Sequence, residues 1–357
     1  MAHHPDHPPS PSPVTVHETL SARVLIGTGS RHTVPGECAR LGARRVLLVS
    51  TPSAARIADE LADALGPVLA ARFDRPAVHT PVEVTAEALR LAERAGADSV
   101  VALGGGSAIG LAKALSVRTG IPQIAVPTTY AGSEATPVLG ETENGVKTTR
   151  RAPGIAPGTI VYDPEPTLTL PPGLTLTSAL NALAHAVEAL WAPDANPLSD
   201  ALASEAADGL LATLPLVLGE PTHPGHRARL QTSAWLAGLC LAGTSMGLHH
   251  RLAHALGGTY DLPHAPLHAL LLPHVMAFNL PSAPRAATRL VRATGGADPV
   301  AAVAGLARSH DGPTTLAALG APREGLRTIA ERVAAALPPH PRPVGADSLT
   351  RLLEEAF

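Results

Sequence analysis

Six of the chain's seventeen histidines fall between Leu248 and His274, in LHHRLAHALGGTYDLPHAPLHALLLPH. His250 and His254 are four apart, so on a helix they share a face. His264 follows ten residues later, after a Gly-Gly break, and can converge on the same point. Imidazoles gathered this way bind a divalent metal or move protons near neutral pH, where their ordinary pKa of about 6.5 lies. A His-rich helical core is the bland alternative, and His249, His268 and His274 are assigned to it.

A second chemistry lies earlier in the chain. VVALGGGSAIGLAKAL places Gly104, Gly105, Gly106 and Ser107 between a strand and a helix. Glycines allow a tight turn and close approach of a phosphate to backbone amides, and Ser107 is placed to cap the helix whose positive end favours an anion. The run is not the G-x-G-x-x-G fingerprint, so alone it is also compatible with a plain βα turn. AVPTTYAGSEATP adds a hydroxyl-rich loop with Thr128, Thr129, Tyr130 and Ser133. In an open α/β sheet such loops, beyond the strand C-termini, are where ligands bind.

The elements that must position these residues follow from periodicity. Strands are predicted over 45–50, 68–73, 98–103, 122–127 and 159–163, with helices over 53–65, 85–96 and 108–118 between them. This alternation implies a parallel sheet covered by helices on both faces. Asn144-Gly145 within GETENGVKTT predicts a hairpin turn. After Pro164 the pattern turns helical to the end of the chain. The expected organisation is a disordered tail over 1–15, an α/β dinucleotide-binding domain over 16–164 and a helical substrate domain over 165–357, with ligands in the cleft between the two.

Composition narrows the function class. At 357 residues, 45% hydrophobic and 16% charged, the chain suits a globular protein of two domains. A net charge of −3 with no basic stripe argues against nucleic acid and anionic membranes as partners. The two cysteines, Cys38 and Cys240, are too few and too distant for a disulfide framework or a cysteine-based zinc site. The N-terminus lacks an apolar signal core, and the apolar run over 233–248 reads as a buried helix. A cytoplasmic protein is expected.

Taken together, GGGSAIGLAK, PTTYAGSE, GETENGVKTT, NALAHAVEAL, HHRLAHALGGTYDLPH and LLLPHVMAFN resemble the dehydroquinate-synthase-like, iron-containing alcohol dehydrogenase superfamily, and most of all its maleylacetate reductase branch. The resemblance runs from Arg23 to Phe357. Metal-dependent members usually carry Asp where this chain has Gly110, Asp at the position of Asn181, and a longer T-T-A-G-T-G-S-E loop. In those three respects the chain resembles the maleylacetate reductases. It departs from them in PHAPLH, with Pro266 for an acid, and in Ala135, commonly a larger residue.

The resemblance implies an NADH- or NADPH-dependent reductase of 2-maleylacetate to 3-oxoadipate, a homodimer with a small-molecule substrate; the alternatives are a biosynthetic enzyme of the same fold acting on another carbonyl, imine or enone, and a metal-dependent alcohol dehydrogenase. It puts the superfamily's four ligand positions on Asn181, His185, His250 and His264. With a neutral amide in place of a carboxylate, metal is not favoured; were iron or zinc present, His185, His250 and His264 would hold it. His254 is expected as the acid and His250 second to it, with Tyr130, His185, His264 and Asn181 orienting substrate. Lys113, Lys147 and Arg251 are candidates for the positive charge that a dianion needs. Thr51, following strand 45–50, stands where an acid would select NAD, so NADP is left open.

Overall fold

The computed structural model describes residues 22–357, apart from the side chain of Lys147. The expected tail over 1–15, with 16–21, lies outside the described residues. Strands β1 (Arg23–Ile26), β2 (Val46–Ser50), β3 (Leu69–Phe73), β4 (Ser99–Gly104), β5 (Gln123–Pro127) and β8 (Thr159–Tyr162) form one sheet in the order β1-β8-β5-β4-β2-β3. Every neighbouring pair is parallel. β2, β4 and β5 are buried at every residue, as central strands covered on both faces must be.

Helices α1 (Val34–Arg40), α2 (Ala55–Leu65), α3 (Val82–Ala95) and α4 (Gly106–Thr119) cover the sheet. β6 (Val138–Glu143) and β7 (Val146–Arg151) pair as an antiparallel hairpin. Its turn places Asn144 at φ 50° and Gly145 at φ 76°, the left-handed pair that Asn-Gly predicts. β1 and α1 carry no strong period and were not among the predicted elements.

The remaining chain is helical: α5 (Pro172–Ala189), α6 (Pro197–Gly219), α7 (Pro224–Gly243), α8 (Leu248–Tyr260) and α9 (His264–Asn279), then shorter helices to Glu355. Their apolar side chains form one continuous core from Leu176 to Ala356. α5 is buried on all sides from Thr175 onward, so its polar residues face protein rather than water. α6 is the one described helix long and apolar enough to cross a membrane, and half of it is buried against neighbours. The apolar run over 233–248 is not one helix: α7 ends at Gly243, and α8 begins at Leu248.

Candidate active site

Sheet register brings the expected cofactor loops together. Ser50 lies beside Leu103 and Gly104 beside Pro127, so Thr51, the glycine turn and Thr128–Thr129 leave one edge side by side. Thr128 N donates to Gly104 O at 3.1 Å. A Cβ on Gly104, whose φ is +153°, would lie 2.8 Å from Thr51 Cγ2, and one on Gly105 2.9 Å from Thr129 Cγ2. Gly106 by contrast faces open space, with nothing within 4 Å of an added Cβ. α4 begins at Gly106 and has no side-chain cap. Ser107 therefore stands inside the first turn and does not cap it, contrary to expectation. The uncapped amides and the open glycine fit a pyrophosphate.

Two residues expected at the substrate have other partners. Lys113 is 2% exposed, and its ammonium donates to the carbonyls of Ser133, Thr136 and Val138 at 2.6, 2.9 and 2.9 Å. It is the buried pin of the loop after Thr129, with its donors already engaged rather than turned to a substrate. Burial pushes it down to about 7, and the charge of Glu134 opposes that shift. Tyr130 is fully buried. Its hydroxyl donates to Thr167 Oγ1 at 3.0 Å and accepts from Arg227 at 3.1 Å, so it anchors the loop to the helical core. Ser133 contributes its carbonyl to Lys113. The side chain of Lys147, on β7, lies outside the described residues.

The histidines do gather, and more of them than expected. His185 on α5 stacks on His250 of α8 with ring centroids 5.0 Å apart. His250 and His254 are edge-on at 6.1 Å, and His254 stacks on His264, the first residue of α9, at 6.1 Å. His268 packs 4.2 Å from His264 and 5.1 Å from His250, and its Nδ1 lies 2.9 Å from His249 Nε2. His249 and His268 thus form the buried floor of the cluster and are not isolated packing residues. His274 stands apart from these ring contacts. Burial first, then the neighbouring imidazoles, push His185 and His268 well below their ordinary range. Burial and the charge of His250 push His249 down to about 3. Only His254 and His264 keep partial exposure at the cluster's rim.

Glu188 was missed. Its Oε2 lies 2.6 Å from His250 Nδ1, with both side chains 3% exposed. It also accepts from the amides of Gly247 at 3.0 Å and His249 at 2.7 Å, so a carboxylate on α5 caps the N-terminus of α8. Burial alone would raise this carboxyl, but His250, His249 and the amide outweigh it and hold it at about 2. An ionised carboxylate only accepts, so His250 Nδ1 carries the hydrogen. Asn181, His185 and Glu188 stand at i, i+4 and i+7 on one face of α5, and that arithmetic could have found it.

The expected ligand set differs from a carboxylate-bearing one. Asn181 Oδ1, His185 Nδ1 and His250 Nε2 are buried without a hydrogen-bond partner, and none of them belongs to a carboxylate. Among the described residues, three donor atoms within 4.8 Å of one another occur at Glu220, His223 and His226, not at His185, His250 and His264. In that surface group the Nδ1 of His223 already caps α7, accepting from His226 N at 3.2 Å.

The family patterns for iron-containing alcohol dehydrogenase and for the Fe-containing alcohol dehydrogenase family, C-terminal, match residues 21–164 and 175–357. The chain belongs to the iron-containing alcohol dehydrogenase family. It is 47% identical to the maleylacetate reductase of Rhizobium sp. strain MTP-10005 over 345 residues, covering 96% of this chain and 97% of that protein. The crystal structure of maleylacetate reductase from Agrobacterium tumefaciens superposes with a TM-score of 0.91 at 45% identity, covering 97% and 98%. A sulfoacetaldehyde reductase from Bifidobacterium kashiwanohense, solved with NAD+, shares the fold at 22% identity and a TM-score of 0.85, covering 96% and 99%. The chain is an oxidoreductase of this family.

Departures from the family pattern have local causes. A side chain on Gly110 of α4 would overlap Thr80 Oγ1, so the Asp common at that position has no room here. Pro266 is the third residue of α9, in the first turn, where a missing amide hydrogen costs no helical bond. Ala135 Cβ lies 2.9 Å from where a Cβ on Gly238 would stand. Its small size suits the contact between the loop and α7.

Proposed function

We propose that the chain is an NADH- or NADPH-dependent reductase of the maleylacetate reductase type, converting 2-maleylacetate to 3-oxoadipate without a metal. The observation that carries this reading is the gathered histidine cluster, backed by the Glu188–His250 pair at 2.6 Å, whose donors lack a charged first ligand. The likeness to maleylacetate reductases over 96% of the chain supports the substrate. When bound, the nicotinamide cofactor supplies a hydride.

In this reading Gly104, Gly105, Gly106 and Ser107, with Thr51, Thr128, Thr129 and Ser133, hold the cofactor. Reduction of the alkene conjugated to the ketone moves charge onto the ketone oxygen. With the hydride on the alkene carbon farther from the ketone, His254, at the rim, donates the proton that the carbon next to the ketone takes up. His250 follows it in the relay, its ring fixed by Glu188. His264, His185 and Asn181 orient the substrate. Arg251, on α8 between these histidines, has a buried Nε with no hydrogen-bond partner among the described residues and supplies charge for one carboxylate.

The same proposal takes 16–164 as the cofactor domain and 165–357 as the substrate domain, in a cytoplasmic homodimer without nucleic-acid or membrane partners. The test is oxidation of NADH and NADPH by purified protein with 2-maleylacetate, before and after complete demetallation. Turnover unchanged by demetallation is expected. No binding or oxidation of either cofactor would sink the proposal, and activity restored only by iron or zinc would sink its metal-free part.

A further inference from the structure

We infer that His79 is a second substrate-binding residue, brought from the sheet side to donate a hydrogen bond to the substrate carboxylate farther from Arg251. The inference rests on the reading above, in which the substrate is a dicarboxylate.

His79 lies in the segment between β3 and α3, beyond the C-terminal edge of the sheet, where ligands of such sheets bind. Its φ is 62° and that of Thr80 is 46°. Two consecutive non-glycine residues in the left-handed region are strained, and they persist only where the surroundings hold them. Here the surroundings do so. Thr80 is 5% exposed, with Oγ1 seated in the space that Gly110 of α4 leaves open. Thr80 N donates to Ala77 O, Thr142 N donates to Thr80 O, each at 3.3 Å, and Pro81 bridges to Thr142. Thr80 is thus locked onto the helix whose first turn forms the cofactor cradle.

With Thr80 locked, His79 points toward the helical portion. Its Nε2 lies 3.8 Å from Asp261 Oδ1. Asp261 is the left-handed C-cap of α8, the helix of His250 and His254, three residues before His264. His79 therefore spans from the cofactor helix to the segment that carries the histidine cluster. It is 24% exposed, while Asp261 is 95% exposed. An imidazole donates to a carboxylate in either charge state, and the Asp261 carboxylate at 3.8 Å is within ion-pair reach of it but beyond hydrogen-bond distance. A substrate carboxylate would take the place of Asp261, which competes with it for His79 and repels it.

The test compares wild type with His79→Ala, His79→Asn and Asp261→Asn. Measured are kcat and KM for 2-maleylacetate, the cofactor Kd by fluorescence titration, and the melting temperature. Asn tolerates the left-handed backbone, so His79→Asn keeps the fold if Ala does not. Expected is a KM raised about tenfold or more in both His79 variants, the effect of one lost hydrogen bond to a charge, and a KM lowered about twofold in Asp261→Asn. Cofactor Kd and melting temperature should stay at wild-type values in His79→Asn and Asp261→Asn. A KM within twofold of wild type in His79→Asn overturns the inference while the functional reading stands. So does a rise in KM matched by an equal rise in cofactor Kd, which marks a structural role. Wild type inactive on 2-maleylacetate overturns the reading and this inference together.

Discussion

Glu188 and His250 form a buried pair 2.6 Å apart, made by two helices that meet at right places in their own patterns. α5 brings the carboxylate at the third residue after His185, and α8 brings His250 in its first turn, with Gly247 just ahead. A Cβ on Gly247 would come within 2.7 Å of Glu188 Oε1, so glycine there lets the helix end reach the carboxylate.

Removing one partner of such a pair leaves the other buried and uncompensated. Glu188→Ala is expected to cost about 3–5 kcal/mol, read as a lower denaturant midpoint. Glu188→Gln keeps the shape but loses the charge that fixes the His250 ring, so it should fold and lose about 10- to 100-fold in kcat. A Gln variant with wild-type kcat would leave His250 without need of its carboxylate.

Lys113 offers a second test, of loop order. Lys113→Met leaves the carbonyls of Ser133, Thr136 and Val138 buried without their donor. Each unmade bond to a charged group costs about 1.5–3 kcal/mol, and local relaxation recovers part of the sum. The expected outcome is a loss of about 3 kcal/mol in urea unfolding, with weaker cofactor binding as the loop after Thr129 loosens. Weaker substrate binding with unchanged stability would instead restore Lys113 as a substrate-binding cation.

The histidine floor makes acid lability a third expectation. His249 titrates at about 3 in the folded chain, and His185 and His268 lie well below their ordinary value; unfolded, all three return to about 6.5. Folded values below the unfolded ones mean that stability is full above about 6.5 and falls as pH drops toward 3. Each histidine contributes a slope of about 1.4 kcal/mol per pH unit in that window. Glu188, at about 2 against 4.5, adds its own loss only below about 4.5. Urea unfolding of chelator-treated protein at pH 8, 6.5 and 5 reads this. Equal midpoints at pH 6.5 and 5 would mean that the cluster already holds its protons.

Much of this site was legible because it depends on short spacings. Gly104–Gly106, the Asn-Gly hairpin and the i, i+4 histidines act within one turn, and the sheet register then aligns their loops. What was not legible depends on contacts between distant segments. Nothing near Lys113 tells that carbonyls of residues 133–138 will surround it. Nothing near Tyr130 tells of Arg227, 97 residues away. His268 reads as packing until α9 is folded back on α8. Glu188 is the instructive miss, since its helical face was computable while its partner, the end of α8, was not.

The glycine turn separates cofactor binding from folding, because its members fail for different reasons. On Gly105 an added Cβ would overlap the Thr129 side chain, so Gly105→Ala must shift that side chain. The expected cost is about 1–3 kcal/mol of stability, in the range for overpacking, together with weaker cofactor binding. Gly106 opens α4, has no positive φ, and faces open space. Alanine there favours the helix by up to about 1 kcal/mol, so Gly106→Ala should melt no lower than wild type. If the open space is where a pyrophosphate approaches the uncapped amides, the same methyl must exclude it. Fluorescence titration with NADH and NADPH should then show a Kd raised about tenfold, near 1.4 kcal/mol, in a protein of undiminished stability. Wild-type affinity in Gly106→Ala would place the phosphates away from the first turn of α4.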